Sequence, residues 1–176
     1  GNTPLPKNKV TSWNFKILRP RNNVGSWIFV GVAPFNIDQN KGDNYENCGW
    51  YFNCCHDSTL SSGPPHNYKD KEYGPRQERG EYVHTGDSVG IVRDTTKGEL
   101  SFVVNGVNLG VAFDGIPLDK PLVPCVILGY KDDSVELDTS EVKETKANSF
   151  ISIPSNIAAK SITWDSITLS WDAVEG

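Results

Sequence analysis

Cys54, Cys55, His56 and Asp57 stand in one unbroken run of two thiols, an imidazole and a carboxylate. A metal site or an activated cysteine is built from such side chains. Zinc takes a tetrahedral ligand set, usually delivered as two spaced pairs. Neighbours on a regular strand point to opposite faces, so Cys54 and Cys55 are not expected to reach one ion together. The chain has three histidines, His56, His66 and His84, and no two of them form a spaced ligand pair. These spacings favour a core or edge role for the cysteines; a cysteine/histidine enzyme or metal site stands as an alternative. Gly86-Asp87-Ser88-Val89-Gly90 has glycines suited to a dinucleotide loop, but it leads into a strand rather than joining strand to helix. Asp132-Asp133 fall in a turn and Glu141 and Glu144 in a linker. No spacing opposes them across a cleft, as a general acid and base require. No catalytic residue, cofactor or metal is expected.

The elements that would position any site are strands. Gly98 to Phe113 reads as a hairpin turning at Asn105-Gly106, where both turn residues need φ > 0. Leu100, Phe102 and Val104 alternate before the turn, and Val107, Leu109, Val111 and Phe113 share a parity after it. That pattern predicts one apolar face on each strand. Trp13, Phe15 and Ile17 alternate in an earlier strand, and Trp27 to Ala33 is nearly continuous in apolar character, as in a strand buried on both sides. Gly49 to Phe52, Val89 with Ile91, Leu122 to Leu128, and Val135 with Leu137 supply further strands. Trp13, Trp27 and Trp50 are expected in the core. Ser58 to Arg79, with Pro64-Pro65 and Pro75, reads as a long surface excursion. About nine short strands and no helical periodicity predict an all-β fold, an antiparallel two-sheet β-sandwich.

With 176 residues, one domain can bury roughly two thirds of its unfolded surface. The net charge is -5 and no basic cluster is present, which argues against nucleic acid or an anionic membrane as partner. No apolar run approaches the ~20 residues of a membrane span, and no signal peptide is visible. Four cysteines are expected to be reduced, and no N-x-S/T acceptor is present, so an intracellular, cytoplasmic setting is expected.

Gly31-Val32-Ala33, Gly49-Trp50, Thr85 to Ile91, Leu100 to Gly106, Leu109 to Phe113 and Leu122-Val123-Pro124 fall in the order found in SPRY (B30.2-like) domains, which the chain resembles over residues 10–138. The resemblance implies two packed, curved antiparallel sheets and a non-catalytic module that binds a protein or peptide through loops at one end. The long excursion, with Tyr73-Gly74 ahead of the G-D-x-V-G strand, looks closer to the Ran-binding and Ash2-like branch than to the branch binding short Asn-rich peptides. Cys54 to Asp57 occupy the region where that latter branch carries a tyrosine, so its peptide specificity is not carried over. Residues 1–9 read as a flexible lead-in and 139–152 as a linker. Residues 153–176, with Pro154 and Trp171, resemble the opening of a fibronectin type III domain, which implies a larger modular parent. A carbohydrate-binding sandwich of lectin type is the main alternative, because an exposed aromatic can stack on a sugar.

If recognition uses loops at one end, two stretches are candidates: Arg19, Arg21 and Asn22 after the first strand, and Tyr68, Tyr73, Arg76 and Arg79 in the excursion. Guanidinium forks and phenol rings combine apolar area with directed hydrogen bonds and serve well as interface anchors. A local basic patch on an acidic chain would select an acidic protein or peptide segment. Arg21 and Arg76 lead this set, with Tyr73 as an aromatic wall.

Overall fold

The computed structural model describes residues 5, 7–19, 27–36, 48–55, 58–74, 83–138, 158–163 and 166–170. Ten strands build the sandwich: β1 (Val10–Arg19), β2 (Ile28–Pro34), β3 (Trp50–Asn53), β4 (Thr59–Ser62), β5 (Lys71–Glu72), β6 (Ser88–Asp94), β7 (Glu99–Val104), β8 (Val107–Phe113), β9 (Leu122–Leu128) and β10 (Ser134–Asp138). One antiparallel sheet has the order β10-β1-β6-β7-β8 and the other β5-β4-β3-β2-β9. Period-two alternation points Trp13, Phe15, Ile17, Val89, Ile91, Leu100 and Phe102 from the first sheet at Ile28, Val30, Val32, Trp50, Phe52 and Leu60 from the second, forming one core. The second sheet is also buried on its other face, where Phe29, Ala33 and Tyr51 pack with Cys125 and Ile127. That accounts for the unbroken apolar run of β2. Gly31 is required there, since a Cβ would collide with the Trp50 carbonyl oxygen across the ladder.

Three expectations need correction. Trp27 is not in the core: it is 41% exposed, against 2% for Trp13 and 3% for Trp50. It shares the parity of Phe29, so it stands at the rim of the second sheet's outer face, edge-on to that ring with centroids 6.5 Å apart. The excursion from Ser58 is not all surface. It opens with β4, an interior strand buried at every position. Its sequence Thr-Leu-Ser-Ser has a single apolar residue, so hydrophobic periodicity does not reveal it. The third concerns β8, which does not keep one apolar face. Val107 is 57% and Val111 53% exposed while Phe113 is buried. The β7–β8 register shifts between Leu100 and Ser101 and again between Ser101 and Val103, and Gly110 sits at φ 90 beside these bulges. Each extra residue reverses the side-chain parity.

The Asn105-Gly106 turn has the expected geometry, with φ 49 and 82. Beyond the sandwich, β11 (Ala158–Thr163) and β12 (Ser166–Ser170) pair as an antiparallel hairpin, and β12 runs close to β9. Ile153 to Ile157 and Trp171 lie outside the described residues.

Candidate partner-binding end

Antiparallel topology sorts the connections onto two ends. β1 finishes, β2 begins, β5 finishes and β6 begins at one end, which also holds the β3–β4 turn, the Asn105-Gly106 turn and the β9–β10 connection. The β2–β3, β4–β5 and β8–β9 connections lie at the other end. Arg19 therefore belongs to the first end, where its backbone pairs with Ser134. Tyr73 follows β5 there. Arg21, Asn22, Arg76 and Arg79 lie outside the described residues, within the two connections that open and close at this end. Tyr68 belongs to the opposite end, in the β4–β5 connection, so the structure does not bring it together with Tyr73.

Tyr73 is half-buried, its ring edge-on to Phe52 and Phe102 at 5.4 and 5.9 Å between centroids. Its hydroxyl donates to the Gly110 carbonyl at 2.7 Å and accepts the Phe102 N–H at 3.3 Å. Ser58 secures the backbone there: its hydroxyl donates to the Tyr73 carbonyl at 2.8 Å, and its carbonyl accepts the Tyr73 N–H at 3.0 Å. Tyr73 thus ties the second sheet's edge to the bulged edge of the first.

Asp87, within the glycine-bearing run Gly86 to Gly90, organises the same end. Its carboxylate accepts the His84 N–H at 2.8 Å and an Asn105 side-chain N–H at 2.9 Å. Asn105 Oδ1 in turn accepts the Ser88 N–H at 3.0 Å. These bonds fix the β7–β8 turn to the start of β6. The only sequence signal for them is the polar pair flanking two strands.

The Cys54-Cys55 pair lies past the end of β3, in the turn. Both residues are buried and their sulfurs are 3.6 Å apart, so the opposite-face rule for a regular strand does not apply. Cys54 Sγ–H donates to the Ile28 carbonyl at 3.4 Å. Burial pushes the Cys125 thiol up to about 11, opposed by a long contact from the Tyr51 hydroxyl. All four cysteines are free thiols.

At the opposite end Tyr68 stacks on Phe113 at 5.6 Å, with the Lys71 ammonium 4.0 Å from its ring centre. His66 packs against both rings. The Trp50 indole N–H donates to His66 Nδ1 at 3.2 Å, which leaves the proton on Nε2, facing the Asp114 carboxylate at 3.4 Å. A carboxylate-oriented imidazole can serve as a general base, yet here its second nitrogen is spent on Trp50. Among the described residues no serine or cysteine side chain bonds to His66, and no group of three or more His, Cys, Asp or Glu is placed to hold a metal. No helix of the described residues is long and apolar enough to cross a membrane.

The SPRY domain family model matches residues 10–140. Among solved structures, the SPRY domain of human HERC1 is similar at 20% identity and a TM-score of 0.50, covering 75% of this chain and 73% of that one. A likeness at that identity speaks to the fold alone. No curated protein matches. The family match spans both five-stranded sheets and the hairpin on which the first end is built, and on that ground this chain belongs to the SPRY domain family of non-catalytic protein-interaction modules.

Proposed function

We propose that this SPRY domain binds an acidic peptide or protein segment at the end where β1 finishes and β6 begins. One observation carries the reading: Arg19 ends β1, and the connection after it that holds Arg21 and Asn22 and the connection that holds Arg76 and Arg79 open and close at the same sandwich end. Arginine forks carried by connections between the strands of a rigid sheet scaffold are suited to carboxylates, which they engage through paired hydrogen bonds. Tyr73 contributes by positioning, since its ring and hydroxyl hold the base of the β5–β6 connection. Tyr68, at the other end, is not part of this surface.

The length of the segment after β4 supports placement nearer the Ran-binding and Ash2-like branch. The paired β11 and β12 fit the opening hairpin of a fibronectin type III unit within a larger modular parent. Four free thiols fit a reducing, cytoplasmic setting.

Selection from a random peptide display library tests the site. Enriched peptides should be rich in Asp and Glu, and Arg21→Ala and Arg76→Ala should each weaken their binding by more than about 2 kcal/mol with unchanged melting. Enrichment of neutral or basic peptides, or binding indifferent to both substitutions but lost in Tyr68→Ala, would move the site elsewhere.

A further inference from the structure

The turn between β3 and β4 places two thiols side by side in a form that recognition does not require. Cys54 Sγ and Cys55 Sγ are 3.6 Å apart, in van der Waals contact, and both residues are at most 1% exposed. The turn is held on both flanks. Cys54 N–H and Sγ–H both donate to the Ile28 carbonyl, and Ser58, at φ 54, is bonded twice to Tyr73. The other thiols stand apart. Cys48 precedes β3 and Cys54 follows it, so a strand of four residues, about 13 Å long, separates them. Cys125 belongs to the outer face of the second sheet, beside Tyr51.

We propose that Cys54 and Cys55 are a redox-modification site, a vicinal dithiol that a small peroxide closes to a disulfide. The steps balance with hydrogen peroxide as the oxidant. One thiol loses its proton and its sulfur attacks the peroxide O–O bond, giving a sulfenic acid and hydroxide, which takes up that proton as water. The second sulfur then displaces the sulfenic oxygen, the S–S bond forms, and the remaining thiol proton leaves in a second water. The two sulfurs give up two electrons and the peroxide accepts them. Burial excludes bulky thiol reagents, while the neighbour at 3.6 Å captures the sulfenic acid before a second oxidation.

The product would be easily reduced. A trans peptide holds adjacent Cα atoms about 3.8 Å apart, below the span of about 4.4–6.8 Å usual for a disulfide. Such strain places a bridge in the labile class that switches rather than staples. Closure would draw Cys54 Sγ from the Ile28 carbonyl and re-pose the turn bonded to Tyr73. That effect on recognition, unlike the chemistry, rests on the binding end proposed above.

Peptide mass spectrometry of intact Cys48→Ser protein tests the chemistry. After brief hydrogen peroxide treatment, quenching and denaturation in N-ethylmaleimide, the peptide carrying Cys54 and Cys55 should be unlabelled and about 2 Da lighter than its reduced form. Dithiothreitol should restore two labels, and Cys54→Ser or Cys55→Ser should abolish the loss. Full labelling of both sulfurs at a peroxide dose that oxidises exposed Cys48 in the unsubstituted protein would overturn the proposal. Added oxygen on either sulfur in place of the bridge would do the same.

Discussion

The Tyr73 hydroxyl donates a 2.7 Å hydrogen bond to the Gly110 carbonyl, joining a residue just past the edge strand of one sheet to the bulged edge strand of the other. The bulges in β8 interrupt the β7–β8 ladder, and the Phe102 N–H beside them finds its partner in the same hydroxyl at 3.3 Å. A side chain therefore completes main-chain bonding that the ladder would otherwise supply. The bulges also explain why Val111 faces solvent: it is carried opposite Ser101 while Phe113 returns to the core opposite Leu100, whereas Val107, paired with Val104 before either bulge, is exposed at the tip of the edge strand.

Replacing Tyr73 with Phe keeps the ring against Phe52 and Phe102 and removes both hydroxyl bonds. Urea unfolding should show a loss of about 0.5–1.5 kcal/mol, the net worth of a typical hydrogen bond, since the exposed Gly110 carbonyl can turn to water while the part-buried Phe102 N–H loses its partner. Tyr73→Ala should cost about 3–5 kcal/mol because the ring is lost as well. If Tyr73→Phe is neutral, water replaces the hydroxyl and the tie between sheets is not a strut.

Trp27 and Trp50 should separate sharply. Trp50→Ala removes a buried ring and strips His66 of its indole donor, and should cost about 3–5 kcal/mol in chemical denaturation. Trp27→Ala removes a ring that is 41% exposed and packed edge-on to Phe29. It should cost about 1 kcal/mol, in the range of a single aromatic pair. Equal losses would place Trp27 in the core after all.

The two-sheet sandwich was legible because its strongest strands, β1, β2 and β7, carry clean alternation or an unbroken apolar run, and because Asn105-Gly106 admits few other turns. What escaped has a physical reason in each case. β4 is buried through Thr59, Ser61 and Ser62, whose polarity conceals their place inside the second sheet. Trp27 was misplaced because strong β character does not say which face a residue takes when both faces of the strand are buried. A bulge cannot be read from period two, since the added residue is what breaks the period. Tyr68 and Tyr73 are close in sequence yet lie toward opposite ends, because β4 and β5 carry the chain along the sheet and back. The arginines were legible as residue types, and only topology puts their connections at one end.

Asp94 should shape the acid limb of the stability curve. Burial pushes its carboxyl up, but the Thr96 hydroxyl and N–H, the Lys97 N–H and the Lys97 ammonium together outweigh that and hold it below the ordinary value of 3.8. A folded value below the unfolded one means that the unfolded chain takes up the proton first as pH falls. The stabilisation is therefore full above the unfolded value and is lost as pH drops through it toward the folded value. Asp94→Asn should lower stability at pH 7 and flatten the decline below about pH 4. Parallel curves for the two proteins would show that the carboxylate contributes nothing specific.

Asn105 does two jobs, and two substitutions can divide them. It holds φ 49 in the β7–β8 turn, while its side chain donates to Asp87 and accepts from the Ser88 N–H. Asn105→Gly keeps the left-handed backbone and removes only the side-chain bonds, so it should cost about 1–2 kcal/mol. Asn105→Ala also forces a Cβ-bearing residue without a polar side chain into the left-handed region, adding about 1 kcal/mol more. Thermal or urea unfolding should therefore rank native above Gly above Ala. Because Asp87 also accepts the His84 N–H, both variants should speed amide exchange at His84 and Ser88 before they affect the core of β7. Equal stability of Gly and Ala variants would mean that the turn backbone relaxes out of the left-handed region, and that the link to Asp87 is the larger reason for asparagine there.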